Sequence, residues 1–209
     1  TSLIGLNYFQ TKRRFKREFF SLFLFSLFGM MLLVHAHELL TAFIALEIAS
    51  LSLYVMVGFQ KYDVRRVEAS YQYLVLGSLS GIFFLLGTAL IYAGLGTTVL
   101  GEMGEALDAL MGKDVSLVII GGTFILVTFL FKISAFPFQS WTIDVYAGAP
   151  LPVTAFMAAT FKVAIFGFIL RLVLVDLDPI RDIWDDRFVV NIIATLLEGS
   201  LMGVIQKSL

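Results

Sequence analysis

Six long apolar segments constrain the fold of this chain more than any other feature of its sequence. A run of about 18 or more apolar residues with few charges predicts a helix that spans a membrane. Of the 209 residues, 59% are hydrophobic and 15% are charged, whereas soluble domains carry about 25% charged residues. An all-α polytopic membrane protein is therefore predicted, as a single membrane domain over residues 1–209. The predicted spans are 19–36, 39–59, 71–95, 115–138, 153–175 and 188–205.

The charges between the spans predict an orientation. Residues 11–18, TKRRFKRE, and 60–66, QKYDVRR, are basic, and Lys207 follows the sixth span. If the six helices alternate, these charges share one side, and the acidic segments 101–114 and 176–187 occupy the other. Basic loops mark the cytoplasmic side of a membrane protein. The basic loops are therefore predicted to be cytoplasmic.

Composition and motifs exclude several classes of function. The net charge of -1 leaves no basic excess to neutralise the phosphates of a nucleic acid. The sequence has no cysteine, so no iron–sulfur ligation or thiol chemistry is expected in these residues. His35 and His37 form an HxH pair, but two ligands are too few for a metal site. His37 is instead read as an interfacial or proton-access group, and no metal or bound cofactor is predicted.

Four ionisable residues lie inside the predicted spans, namely Glu47, Lys132, Lys162 and Glu198. Such residues are costly in lipid and tend to be functional. Each must pair with another charge, sit in a wet cavity or lose its charge. The residues alone leave two interpretations open, a proton relay and a static ion pair that holds helices together.

Pro137 predicts a break in the fourth span, in the stretch KISAFPF that begins at Lys132. Proline removes a backbone hydrogen bond from a helix. Discontinuous helices are a device of transporters, where they line ion paths. A lysine beside a break favours an ion path, and an ordinary proline kink is the alternative. Trp141 and Tyr146, beyond the break, are read as part of an aromatic belt at the cytoplasmic interface.

Residues 131–167, FKISAFPFQSWTIDVYAGAPLPVTAFMAATFKVAIFG, resemble the signature of the antiporter-like membrane subunits of respiratory complex I. Within that group, DVYAGAP at 144–150 followed by PVTAF at 152–156 resembles the N subunit of bacterial NADH:quinone oxidoreductases. Residues 45–59 and 68–92 resemble the fifth and sixth helices of the family. The resemblance covers nearly the whole chain.

The resemblance implies the roles of three residues. The family's glutamate on helix five falls on Glu47, its lysine on the broken helix seven on Lys132, and its lysine on helix eight on Lys162. Glu47 would pair with Lys132 and tune its proton affinity, and Lys132 would pass its proton toward Lys162. The family's subunits have fourteen helices, so this chain would be a fragment covering about helices four to nine.

The chain departs from the family pattern at three positions. Gln139 and Ile143 stand where the family usually has His and Pro, and Gln139 cannot titrate. The family has no acid that matches Glu198. Glu198, and His37 as a proton-access group, are therefore only possible members of the proton path beside Glu47, Lys132 and Lys162.

The function that the resemblance implies is proton translocation by a subunit of NADH:quinone oxidoreductase in the bacterial inner membrane. Flavin, iron–sulfur clusters and quinone are expected in partner membrane and redox subunits, and this chain would hold no redox centre. Alternatives are a subunit of a cation/proton antiporter, a subunit of a membrane-bound hydrogenase, and a scaffold in which the charges only pair. The DVYAGAP run favours complex I.

Overall fold

The computed structural model describes residues 18–59, 63–110, 114–180 and 182–205, and this part of the chain is helical without any strand. An isolated bridge joins Glu38 to Val99, and a short 3-10 turn covers Asp178–Ile180. The helices are α1 Glu18–Val34, α2 Leu39–Val57, α3 Val64–Leu95, α4 Leu100–Asp108, α5 Ser116–Ile133, α6 Ser140–Gly148, α7 Leu151–Asp176 and α8 Asp182–Ile205.

The prediction of an all-α membrane protein is confirmed. Helices α2, α3, α5 and α7 are each long and apolar enough to cross a membrane, and they correspond to the second to fifth predicted spans. The first predicted span falls on α1, which is shorter at 17 residues, and the sixth falls within α8. Residues 1–17, 60–62 and 206–209 lie outside the described residues, so the orientation drawn from their basic charges stays a prediction.

Two differences from the sequence prediction concern α3 and α4. Helix α3 begins at Val64, before the predicted start at Tyr71, because a polar first turn precedes its apolar part. The side-chain hydrogen bond from Arg66 to Asp63, at 2.9 Å, closes this turn and lowers the pKa of Asp63. The acidic segment expected as a loop instead forms α4. Its buried Leu100, Met103 and Leu107 recur at helical spacing and give it one apolar face.

Glycines bring α3 and α5 into backbone contact. A Cβ placed on Gly87 would lie 2.5 Å from the carbonyl oxygen of Gly121, and one on Gly121 would lie 2.7 Å from that of Gly87. The Thr128 hydroxyl of α5 also donates to the Ser80 carbonyl of α3 at 2.8 Å. Small residues at a crossing are how membrane helices pack closely, because lipid supplies no hydrophobic force between them.

Helices α1 and α2 pack in the same way. A Cβ on Gly29 would lie 2.6 Å from the backbone nitrogen of Ala49, and the Ser26 hydroxyl donates to the Ala49 carbonyl at 3.2 Å.

Aromatic side chains also join helices α3 and α5. Phe84 of α3 packs edge-on against Phe129 of α5, with ring centroids 5.7 Å apart. The core therefore lies between helices and is closed by small residues and aromatic rings.

One end of the bundle is tied together by two crossing turns. The turn between α1 and α2 exchanges hydrogen bonds with the turn between α3 and α4: Leu39 N–H donates to Thr98 O at 3.0 Å and Leu100 N–H to His37 O at 2.9 Å. The Thr98 hydroxyl donates to a Glu38 carboxylate oxygen at 2.8 Å. These bonds fix α4 against the end of the helices.

Helix α7 is continuous but irregular. Two π-helical turns interrupt its α-helical hydrogen bonding, at Met157–Phe161 and at Leu172–Asp176. The first turn comes immediately before Lys162. Single π turns inside helices often occur at functional sites.

Candidate functional site

The predicted break near Pro137 is confirmed. Helix α5 ends at Ile133, Ser134 adopts the left-handed conformation with φ 63°, and helix α6 starts at Ser140. Lys132 occupies the last turn of α5, so its side chain leaves the helix directly before the chain bends. The lysine that the sequence predicted thus lies in the last helical turn before an irregular segment.

Side chains from elsewhere satisfy the backbone of this break. The indole N–H of Trp141 donates to the carbonyl of Phe131 at 3.1 Å. Phe136 receives both of its partners from α8: its N–H donates to the Thr195 hydroxyl at 3.0 Å, and its carbonyl accepts from the Asn191 amide at 2.6 Å. Non-helical backbone at membrane depth requires such partners, since lipid offers none.

Lys132 is buried, with 1% of its surface exposed. Its ammonium donates to the Ser50 hydroxyl at 2.9 Å and to the Tyr54 hydroxyl at 3.1 Å, both on α2. Among the described residues the ion pairs join Arg66 to Asp63 and Arg171 to Asp176, and none includes Lys132. Two neutral hydroxyls therefore hold this buried ammonium.

Glu47 lies on the same face of α2 as the two hydroxyls, because positions 47, 50 and 54 recur at helical spacing. Its Oε1 atom is buried and has no hydrogen-bond partner among the residues that the structure describes. A Cβ on Gly81 of α3 would lie 3.1 Å from that oxygen, so the carboxylate occupies the space that this glycine leaves open. Among the described residues no ion pair joins Glu47 to Lys132, and two of the three ammonium donors of the lysine go to hydroxyls.

Stacked aromatic rings connect the lysine's hydroxyl partner to the break. Tyr54 packs edge-on against Tyr73, with centroids 4.5 Å apart, and Tyr73 stacks on Trp141 at 4.8 Å and 6°. Trp141 is 3% exposed, so its prediction as part of an interfacial belt was wrong. Hydropathy marks an indole as amphipathic but does not reveal that Phe131 supplies its buried hydrogen-bond acceptor.

Lys162 lies on α7 at the end of its first π turn and is half-buried. Its ammonium makes no hydrogen bond or ion pair with any residue in the described ranges. The structure thus places Lys162 on a different helix from Lys132 without an intervening side-chain bond. Its part in the proton path stays a prediction.

Glu198 and Gln139 each present a buried oxygen that has no hydrogen-bond partner within the described ranges. Glu198 lies on α8 and is half-buried. Gln139 ends the irregular segment, directly before α6. Both are polar groups with spare acceptor capacity, and neither contacts Lys132 or Lys162 by a hydrogen bond in the part of the chain that the structure describes.

His37 is exposed in the turn between α1 and α2, away from these groups in the fold. Arg171 of α7 approaches its Nδ1 at 3.3 Å, donates to the carbonyl of Ala36 at 2.8 Å, and pairs with Asp176 at 4.0 Å. Arg171 therefore fastens α7 to the turn between α1 and α2. Over the described residues, no group of three His, Asp or Glu side chains is arranged to hold a metal ion.

The sequence prediction missed Ser50 and Tyr54 as partners of Lys132, and Asn191 and Thr195 as partners of the break. The spacing from Glu47 to Ser50 and Tyr54 was a readable signal, because it puts all three on one helix face. No local pattern predicted that Asn191 and Thr195 would bond Phe136, which lies 59 positions before Thr195 in the sequence.

Comparisons with known proteins give both a matching family and similar sequences. Residues 36–209 match the family described as NADH:quinone oxidoreductase/Mrp antiporter, TM. NADH-quinone oxidoreductase subunit N of Nitrosomonas europaea is 36% identical over 203 residues, covering 97% of this chain and 42% of that protein. Subunit N of Mycobacteroides abscessus is 44% identical over 190 residues, covering 90% and 35%. The chain thus spans about two fifths of the length of these relatives.

A solved structure gives the same result for the fold. A chain of respiratory complex I from Thermus thermophilus, determined with bound aureothin, superposes with a TM-score of 0.67 at 37% sequence identity. The superposition covers 76% of this chain and 34% of that one. The helical fold of this chain is therefore similar to that of a chain of a respiratory complex.

Proposed function

This chain belongs to the NADH:quinone oxidoreductase/Mrp antiporter family of membrane proteins, and we propose that it carries protons as part of a subunit N of respiratory complex I. The observation that carries the proposal is the buried ammonium of Lys132, held by two hydroxyls beside a helix break. An ionisable group at membrane depth is retained at considerable cost and is typical of proton pathways.

The mechanism follows from what the neighbouring groups can accept and donate. The Ser50 and Tyr54 oxygens accept from the ammonium, and each hydroxyl can pass on its own proton. Glu47, on the same helix face, has a buried oxygen free to accept one. In this proposal Glu47 tunes the proton affinity of Lys132 through the hydroxyls, and Lys132 delivers its proton toward Lys162.

The setting of this relay is also part of the proposal. Electron transfer from NADH to quinone would take place in partner subunits, which would hold the flavin and the iron–sulfur clusters. The chain supplies no cysteine for such a cluster. Its place would be the bacterial inner membrane, with the basic segments 11–18 and 60–66 on the cytoplasmic side.

A cation/proton antiporter subunit is the second candidate, because the matching family includes Mrp antiporters. The same buried lysine and broken helix would serve exchange of a cation for a proton. The matches to subunit N, at 36% and 44% identity, favour complex I. Proton uptake that depends on NADH and persists without sodium separates the two functions.

Replacing Glu47 with Gln tests the role of the carboxylate. Gln keeps the size and one oxygen but removes the charge. In the full-length parent protein, NADH-driven proton uptake into inverted membrane vesicles is expected to fall about fivefold, the factor that corresponds to a coupling of about 1 kcal/mol. Electron transfer from NADH to quinone is measured in the same vesicles.

Glu38→Gln is the matched control. Glu38 lies in the turn between α1 and α2 and accepts a hydrogen bond from Thr98. Its replacement therefore leaves the face of α2 that carries Ser50 and Tyr54 unchanged. We expect proton uptake close to that of the unaltered protein. Equal uptake in both variants, with the complex assembled, would remove Glu47 from the proposed path.

A further inference from the structure

The two backbone groups of Phe136 are both bonded by one short segment of α8. Thr195 accepts from the Phe136 N–H at 3.0 Å, and Asn191 donates its amide to the Phe136 carbonyl at 2.6 Å. The Thr195 hydroxyl donates its hydrogen to the backbone carbonyl of Asn191 at 2.7 Å. The lone pairs of the hydroxyl oxygen are therefore available to accept from the Phe136 N–H. Donors and acceptors therefore match throughout this three-residue contact, here called the α8 clamp.

The placement of these polar residues is specific. Asn191 and Thr195 are four positions apart, so they share one face of a helix that is otherwise mostly apolar around them. Phe136 directly precedes Pro137, where no helical bonding is available to the chain. Without the clamp, the Phe136 N–H and carbonyl would lack partners at membrane depth, which is costly.

Packing alone does not fix α8 beside the break. A cavity of about 410 Å³ lies between α5, α7 and α8, lined by apolar side chains such as Leu130, Phe166 and Ile192. Asn191 and Thr195 stand at its wall. Trp184 packs α8 onto Gly122 of α5, and because side chains do not fill the cavity, the hydrogen bonds of the clamp are what attaches α8 directly to the break.

We propose that Asn191 and Thr195 are positioning residues for Lys132, and this inference rests on the proposed function. Phe136 follows Lys132 by four residues, so the clamp fixes the chain directly after the lysine. On the other side of the break, Trp141 bonds the carbonyl of Phe131. Helix α8 thereby holds the end of α5 at which Lys132 reaches Ser50 and Tyr54.

The test replaces Thr195 with Val, which has the same shape without the hydroxyl. Hydrogen–deuterium exchange is followed in the assembled complex that contains the full-length chain, in the peptide covering residues 131–140. We expect exchange of the Phe136 amide to rise about fivefold, as expected for the loss of one hydrogen bond. We also expect the protons taken up per NADH oxidised to fall about twofold.

Two controls separate positioning from a general loss of packing. Thr195→Ser keeps the hydroxyl and should restore both readouts. Thr123→Val removes a hydroxyl that bonds only within its own helix, to Ile119 at 2.8 Å, and should leave exchange at 131–140 unchanged. Asn191→Leu provides a second variant should Thr195→Val fail to assemble.

The outcomes distinguish this inference from the proposed function. Unchanged exchange at Phe136 in both the Thr195→Val and Asn191→Leu variants overturns the clamp. Raised exchange with an unaltered proton-to-electron ratio overturns its role in positioning Lys132. If Lys132→Met also pumps normally while exchange is raised in Thr195→Val, the proposed function fails and the clamp remains as a purely structural contact.

Discussion

Replacing Lys132 with Met is expected to abolish most NADH-driven proton pumping while the complex still assembles. Met keeps the length of the side chain but has no charge and no proton to give. The 1% exposure of Lys132 means that no bulk water can take over its role from the surface. Loss of an acid–base group in a transfer path lowers rates by about a hundredfold or more, so residual uptake should be small.

The measurement uses the full-length parent protein in native membranes. Proton uptake into inverted vesicles is recorded beside NADH:quinone electron transfer, and assembly is checked by native gel electrophoresis. Lys113→Met, a lysine outside the predicted spans, is the matched control and should pump normally. If Lys132→Met leaves both rates at the level of the unaltered protein, Lys132 is at most a structural contact between α5 and α2.

A clear loss of stability is expected for Gly121→Ala. The added Cβ would lie 2.7 Å from the carbonyl oxygen of Gly87 and 3.0 Å from the backbone nitrogen of Ile91. Because the obstacle is backbone, α3 and α5 would have to move apart. Overpacking of this kind costs about 1–3 kcal/mol, which outweighs the gain of about 1 kcal/mol from replacing a helical glycine.

Gly167→Ala on α7 is the comparison, because its Cβ would meet only a Val34 methyl group at an ordinary 3.8 Å. It keeps the gain in helix propensity without the clash. The midpoint of thermal unfolding of the purified complex should fall for Gly121→Ala and stay level or rise for Gly167→Ala. The same midpoint in both variants would mean that the α3–α5 crossing tolerates separation.

The elements that could be predicted from the sequence are those fixed by local composition. Apolar runs predicted the long helices, because a membrane span needs about 20 apolar residues. Pro137 predicted the break, because proline cannot donate a helical hydrogen bond. Helix α4 was missed although Leu100, Met103 and Leu107 recur at helical spacing, because acidic residues between spans were taken for a loop.

The site was predictable only in part. Burial of Lys132 followed from its surroundings in sequence, whereas its partner Ser50 lies 82 positions away and depends on how α2 packs on α5. The resemblance assigned the family's glutamate and lysine to Glu47 and Lys132, but it did not give the distance between these two side chains. The bonds from Lys132 to the two hydroxyls of α2, and the attachment of α8 to Phe136, depend on tertiary packing between segments far apart in the sequence.

The π turns of α7 have a consequence for how this helix tolerates change in length. A π turn accommodates about one residue more than an α-helical turn, and each residue in an α-helix rotates the chain by about 100°. Deletion of one residue within Met157–Phe161 would therefore let the helix become regular and keep Lys162 facing nearly its present direction relative to Leu151–Phe156. Deletion of one residue from the regular stretch Lys162–Arg171 would instead turn the residues that follow by that angle, so the tolerance of α7 to a change in length is confined to its π turns.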